Sequence, residues 1–336
     1  MENNVYYLIN KGTFKLQRND LNSLKPDYVR VQFLYCGICG GDYSCFLGRR
    51  TSYPYTLGHE FVASVIDTGK NVNNFYIGDF VVSDFNYRCQ KCSYCLTGKE
   101  HLCIQNNAGL FTNRAFAEYA DIHKNYLYNV NSIKTVINAT LIEPLSCVIH
   151  AYNEILNVCS PNNVLIVGLG NIGMLFAFYL KTVIRLKKVF VHDSISEKEK
   201  RIIRLFNCAA MEPNHLQKYD LIIDATNSIS GAQFCLNISK SAQVYCMMSH
   251  LYGLDTSFIY ETMCQKEIRP LFPLRNGNRE NILLAIQTIQ KYWKPSYDKT
   301  IEVFPITKIQ QVFNDKQVLK SNKQVLAINC TEELLV

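Results

Sequence analysis

The sequence predicts an α/β protein of two units, a β-rich unit that carries metal ligands and a doubly wound parallel unit that binds a dinucleotide. Three observations carry that expectation. The N-terminal third alternates β-branched and aromatic residues with polar ones, the pattern of half-buried strands. Four cysteines crowd into residues 89–103. An apolar strand at 164–167 runs directly into Gly168-Leu169-Gly170-Asn171-Ile172-Gly173 and an apolar helical pattern.

Composition narrows the class. The chain has 336 residues, 48% of them hydrophobic, which is enough to bury two cores. Its net charge of +7 is spread along the chain, with only a loose basic run at 181–204. No basic face interleaved with aromatics appears, so no nucleic-acid partner is expected. The positive surplus suits an anionic small molecule such as a sugar phosphate. The opening residues MENNVYYLINKGTFKL have neither a basic segment followed by a long apolar run nor a small-residue cleavage motif. No apolar run reaches membrane-spanning length. A soluble, cytoplasmic protein is expected, and its 14 cysteines are read as reduced thiols and metal ligands rather than a disulfide framework.

Taken in order, VYYLIN, TFKLQR, YVRVQFLYC, FVASVIDT and FVVSD read as strands separated by Pro and Gly breaks. Between the third and fourth lies CGICGGDYSCFLGRRTSYPYTLGHE, residues 36–60. Cys39 and His59 are sulfur and nitrogen donors suited to zinc, with Asp42 and Glu60 beside them as oxygen ligands or orienting groups. Loops at strand ends are expected to present them.

Cys89, Cys92, Cys95 and Cys103 follow in the spacing C-x2-C-x2-C-x7-C. Four thiolates so close can surround one zinc ion without other ligands, which makes a closed, structural site. The polar residues between them fit an exposed lobe ordered by its metal. Next, LIEPLSCVIHAYNEI begins a helical pattern, and Glu143, preceding Pro144, is expected in a turn just before that helix.

The glycines of 168–173 permit a tight turn and close approach of the backbone to a pyrophosphate. The strand KVFVHD at 188–193 ends in Asp193, about 20 residues past the last glycine, where an acid binds the adenosine ribose hydroxyls and favours NAD over NADP. Further strands, DLIIDA and QVYCM, alternate with helical segments to about residue 273. NRENILLAIQTIQKYW is an amphipathic helix, and ITKIQQVFNDKQV and KQVLAIN are read as a last helix and strand.

In this order, CGICGGD, GHE, the four-cysteine lobe, EPLSCVIHA, VLIVGLGNIG with Asp193, KEIRPLFPLRN and ITKIQQVF resemble the zinc-dependent medium-chain alcohol dehydrogenases, particularly the sorbitol (polyol) and threonine dehydrogenase branch. The resemblance implies a GroES-like β-barrel catalytic domain, residues 1–148 and 274–336, with an inserted Rossmann domain at 149–273 and the active site between them. It implies that Cys39 and His59 are catalytic zinc ligands and that Asp42 orients the site. Glu60, Glu143 or water completes the coordination. It also implies two zinc ions per chain, NAD, a homo-oligomer (dimer or tetramer), and an NAD-dependent dehydrogenase of a secondary alcohol such as a polyol, sugar or sugar derivative. Two alternatives remain: a biosynthetic reductase of a phosphorylated sugar or amino sugar, and a non-catalytic cofactor-binding subunit. One departure stands out. Gly41 occupies the place of the usual proton-relaying hydroxyl, leaving Ser44, Tyr43 or water to move the proton, or making room for a bulkier substrate.

Overall fold

Alternating apolar and polar residues build the first part of the computed structural model, which describes residues 1–49, 52–84, 86, 88–105, 114–212, 219–251, 253–315 and 320–329. Strands β1 (Glu2–Asn10) and β2 (Thr13–Asp20) pair antiparallel. Strand β3 (Tyr28–Gly37) leads into a short helix, α1 (Gly40–Phe46). Strand β4 (Tyr55–Thr56) then joins β1, while β5 (Glu60–Thr68) runs antiparallel along β3 from Val29 opposite Thr68 to Gly37 opposite Glu60. Strand β6 (Phe80–Ser83) continues that sheet; after helix α2 (Ser93–Leu96), β7 (Tyr119–His123) lies on the other edge of β3, and β8 (Leu127–Asn129) pairs with β6. Inward-facing Val29, Val31 and Phe33 meet Phe61, Ala63 and Val65 in one buried cluster. Within it the Phe33 and Phe61 rings stand edge to face, their centroids 4.8 Å apart.

Helix α3 (Ile142–Leu156) carries the chain into a six-stranded sheet of β9 (Asn163–Val167), β10 (Lys188–His192), β11 (Ala209–Ala210), β12 (Leu221–Asp224), β13 (Val244–Met247) and β14 (Arg269–Leu271). Every pairing is parallel and the order is β11-β10-β9-β12-β13-β14. That order reverses direction at β9/β12, the place where a doubly wound sheet opens a crevice for a dinucleotide. The intervening helices are α4 (Asn171–Phe178), α5 (Ser196–Phe206), α6 (Ile229–Ile238) and α7 (Ser257–Gln265). After α8 (Arg279–Tyr292), the chain returns through β15 (Ile301–Pro305), α9 (Ile309–Asn314) and β16 (Lys323–Ala327). Strand β16 pairs with β3, Val325 opposite Gly37, and so rejoins the first unit.

Among the described residues the strands of the first unit form a three-stranded and a seven-stranded sheet. One detail differs from expectation. Glu143 lies within the first turn of α3 rather than before it. Pro144 causes no break there, because the first N–H groups of a helix have no intrahelical partner to lose. Helix α3 spans residue 148, where the two units are expected to join. Among the described residues no helix is long and apolar enough to cross a membrane.

The four-cysteine lobe is anchored by imidazoles. His101 donates its backbone N–H to the Gly277 carbonyl at 2.9 Å, and its ring lies 4.6 Å from that of His150 on α3. Burial, with the neighbouring His101 ring, pushes His150 down to about 4. The unfolded chain takes up a proton near the ordinary histidine value, about 6.5, that the folded protein refuses. The stability is therefore complete above that pH and is lost as pH falls towards 4. Thermal unfolding between pH 7 and 4.5 is expected to show this loss, and His150→Phe is expected to flatten it; an unchanged slope in the variant assigns the loss elsewhere.

Candidate active site

The metal-donor residues are placed by backbone turns at the end of β3 and the start of β5. Cys39 caps α1: its Sγ accepts from the Gly41 N–H at 3.4 Å, while Asp42 Oδ2 accepts from the Cys39 N–H at 2.9 Å. This reciprocal cap fixes the thiol and the carboxylate relative to each other. His59 stands between β4 and β5, with Nδ1 3.9 Å from Asp42 Oδ1. Donor atoms of Cys39, His59 and Glu60 all lie within 4.8 Å of one another.

Glu60 is 1% exposed and both of its oxygens are engaged. Oε2 pairs with the ammonium of Lys323 on β16, itself 0% exposed, and Oε1 accepts from Asn171 Nδ2 at 3.2 Å. Glu143 lies on α3 with Cys147 one turn on, whose Sγ donates to its Oε1 at 3.6 Å. It is not one of the three residues whose donors fall within 4.8 Å. Burial pushes Glu143 up to about 7 and raises Asp42 as well. Burial opposes a charged His59, yet the Cys39 thiol, Asp42 and Glu143 hold it well above its ordinary value. Three buried carboxyls and a thiol thus face Lys323 and His59, and a divalent cation supplies the positive charge such a cluster lacks. The mixed sulfur, nitrogen and oxygen donors suit zinc with an open coordination position.

In the lobe, the thiols of Cys89, Cys92, Cys95 and Cys103 also lie within 4.8 Å of one another. Backbone N–H groups already point at the sulfurs: Cys92 N–H at Cys89 Sγ (3.3 Å) and Cys89 N–H at Cys103 Sγ (3.4 Å). Such donors favour the thiolate, the form a metal takes, and the backbone N–H groups of Cys95 and Ile104 hold Cys92 down to about 6. This set fits a closed four-thiolate zinc site.

The glycine-rich turn opens α4 at the end of β9. Gly168 has φ +86°, and a Cβ there would meet the Ala225–Thr226 backbone at 2.8 Å. A Cβ at Gly173 would fall 1.8 Å from the Gly168 carbonyl oxygen, so the helix can lie against the strand only without a side chain. At Gly170 nothing lies within 4 Å, which leaves the space a diphosphate needs. Ile172 packs against a buried cluster drawn from both units. Asp193 follows β10 directly; its Oδ2 accepts from the Leu169 N–H at 2.6 Å and its Oδ1 from the Ile195 N–H at 2.8 Å. The acid therefore braces the turn from below, and each oxygen keeps a lone pair for a ribose hydroxyl.

Ser44 is buried and donates its hydroxyl to the Gly40 carbonyl at 3.2 Å, within α1. The Tyr43 hydroxyl beside it is buried without a partner among the described residues, and burial with Asp42 pushes it up to about 12. Sequence reasoning missed Lys323 and the link from Asn171 to Glu60. A lysine opening a β-strand carries no local mark of burial, and a contact across 111 positions leaves no spacing to read.

Residues 25–132 match the family model of the alcohol dehydrogenase GroES-like domain. The chain is 28% identical over 276 residues to a sorbitol dehydrogenase of Halalkalibacterium halodurans, covering 76% of this chain and 79% of that protein. It is 24% identical over 330 residues to a D-arabitol-phosphate dehydrogenase of Enterococcus avium, covering 91% of each. A Sinorhizobium meliloti 1021 protein solved bound to NADP, and described as a zinc-binding dehydrogenase, shares the fold with a TM-score of 0.80, 20% identity, and coverage of 97% and 99%.

Removing one partner of a fully buried ion pair leaves the other charge stranded. Lys323→Ala is expected to destabilise the metal-loaded protein by about 3–5 kcal/mol, and adding Glu60→Gln is expected to recover much of that loss. Denaturant unfolding of the three proteins reads this; equal stability of Lys323→Ala and wild type contradicts it.

Proposed function

We propose that this chain, a member of the zinc-dependent medium-chain alcohol dehydrogenases, transfers a hydride between NAD and the carbinol carbon of a polyol or sugar derivative. The observation that carries this reading is the bond from Asn171 in the glycine-rich turn to Glu60 beside Cys39 and His59, which brings the dinucleotide turn and the metal donors to one place. A zinc ion held by Cys39 and His59, with Glu60, Glu143 or water, supplies a Lewis acid for the substrate oxygen. The chain's own groups do the rest. Asp42 holds the Cys39 backbone and faces His59, and Lys323 neutralises Glu60. The proposal includes a second, structural zinc in the lobe, a homo-oligomer and a cytoplasmic location. Similarity to a sugar-phosphate dehydrogenase over 91% of the chain, with a net charge of +7, supports phosphorylated substrates of the same class, in either direction of reaction.

A polyol and sugar-phosphate panel followed by NADH absorbance tests the reading. Turnover with at least one member is expected, with NAD used better than NADP because Asp193 accepts ribose hydroxyls and repels a 2′-phosphate. Asp193→Gly is expected to narrow that preference. No absorbance change across the panel, or better use of NADP by the wild type, overturns the corresponding part.

The substrate proton needs a route. Ser44 spends its own proton on Gly40, whereas the Tyr43 hydroxyl has no partner among the described residues and, with its raised pKa, stays able to donate as well as accept. Tyr43→Phe is expected to lower kcat on the order of 10²-fold, the lower range for a lost acid–base group, with Ser44→Ala near normal. The opposite ranking returns the relay to Ser44; two mild effects leave the route to water.

A further inference from the structure

The Glu60 carboxylate accepts two donors from opposite sides, and they come from different parts of the chain. Lys323 reaches it from the return strand β16, and Asn171 from the first position of α4. Asn322, next to Lys323, donates its Nδ2 to the Leu169 carbonyl at 2.6 Å, so β16 grips the turn as well as the acid. An ionised carboxylate can only accept, which fixes the Asn171 amide with its NH₂ towards Glu60. Its Oδ1 then remains buried with no partner among the described residues. Beside it Gly170 faces open space. The Asn171 amide therefore has one hand on the metal-site carboxylate and the other free, at the edge of the space left for the dinucleotide.

We propose that Asn171 couples occupation of the glycine-rich turn to metal coordination, sharing its NH₂ between Glu60 and the diphosphate oxygens of the dinucleotide and offering Oδ1 to a ribose hydroxyl. The inference rests on the reading of the two sites given above. When Glu60 turns to the metal, Asn171 is released to the dinucleotide; when Glu60 stays on Asn171, the two compete. Linkage makes the effect reciprocal, so metal at Cys39 and His59 tightens the dinucleotide and the dinucleotide tightens the metal. Asn171 is a positioning residue, acting on the metal through Glu60.

ADP-ribose is the probe, since it fills the turn and carries no nicotinamide to touch the metal directly. Its affinity is measured by calorimetry in wild type, His59→Ala, Asn171→Ala and the double variant, a cycle that isolates the coupling. Loss of the metal through His59→Ala is expected to weaken ADP-ribose by about 5-fold or more in the wild-type background and to change it little once Asn171 is alanine. A second readout leaves the metal ligands intact: in cobalt-substituted protein, ADP-ribose is expected to shift the visible absorption bands of the wild type but not of Asn171→Ala. An additive cycle, or a band shift that persists in Asn171→Ala, overturns the coupling while leaving both sites standing. Failure of the wild type to bind ADP-ribose, or unchanged metal content in His59→Ala, overturns the site reading and the coupling with it.

Discussion

The pairing of Glu60 with Lys323 is the contact on which the rest of the site depends. Both side chains are removed from solvent, and desolvating two such ions is costly unless each finds compensating partners. The ladders of the first sheet bring them together. Glu60 begins β5, opposite Gly37 at the end of β3, and β16 runs along the same end of β3. Gly37 is what lets them meet, because a Cβ there would lie within 2.7 Å of the glutamate oxygen. One missing side chain thus admits an ion pair into the interior.

From that pair the two functional halves are positioned outward. The metal donors sit where strands end and a reciprocally capped helix begins, so their spacing is set by backbone bonds rather than by long side chains. The dinucleotide turn sits where the parallel sheet reverses order, with Asp193 bracing it from the neighbouring strand and Asn322 from the returning one. A buried carboxylate touches both halves, through Lys323 on one oxygen and Asn171 on the other, and this shared contact is the ground of the coupling we propose.

Legibility in the sequence follows the range of the interactions. The four-cysteine lobe and the glycine-rich turn were readable because each is built within fewer than twenty residues, and their spacings state the geometry outright. Asp193 was placed by its distance from the turn, although its bonds to Leu169 and Ile195 were not foreseen. Lys323 and the Asn171–Glu60 link were illegible, because the partners lie 263 and 111 positions apart. Helix α1 was hidden by two glycines in its first turn, a composition that argues for loop. The reciprocal cap between Cys39 and Asp42 overrides that preference. Strand β14 was missed for a similar reason: Pro270 argues against a central strand but is tolerated at the outer edge of the sheet. Glu143 was placed just before the helix instead of in its first turn, because a proline was read as a boundary rather than as a first-turn residue.

Anomalous diffraction at the zinc edge from crystals grown with NADH tests the convergence of metal and dinucleotide most directly. The account predicts two zinc peaks per chain, one within the four cysteines and one bounded by Cys39 and His59, with the diphosphate over Gly170 and the nicotinamide ring facing the second peak. A single peak per chain, or a dinucleotide whose nicotinamide points away from Cys39 and His59, would contradict it.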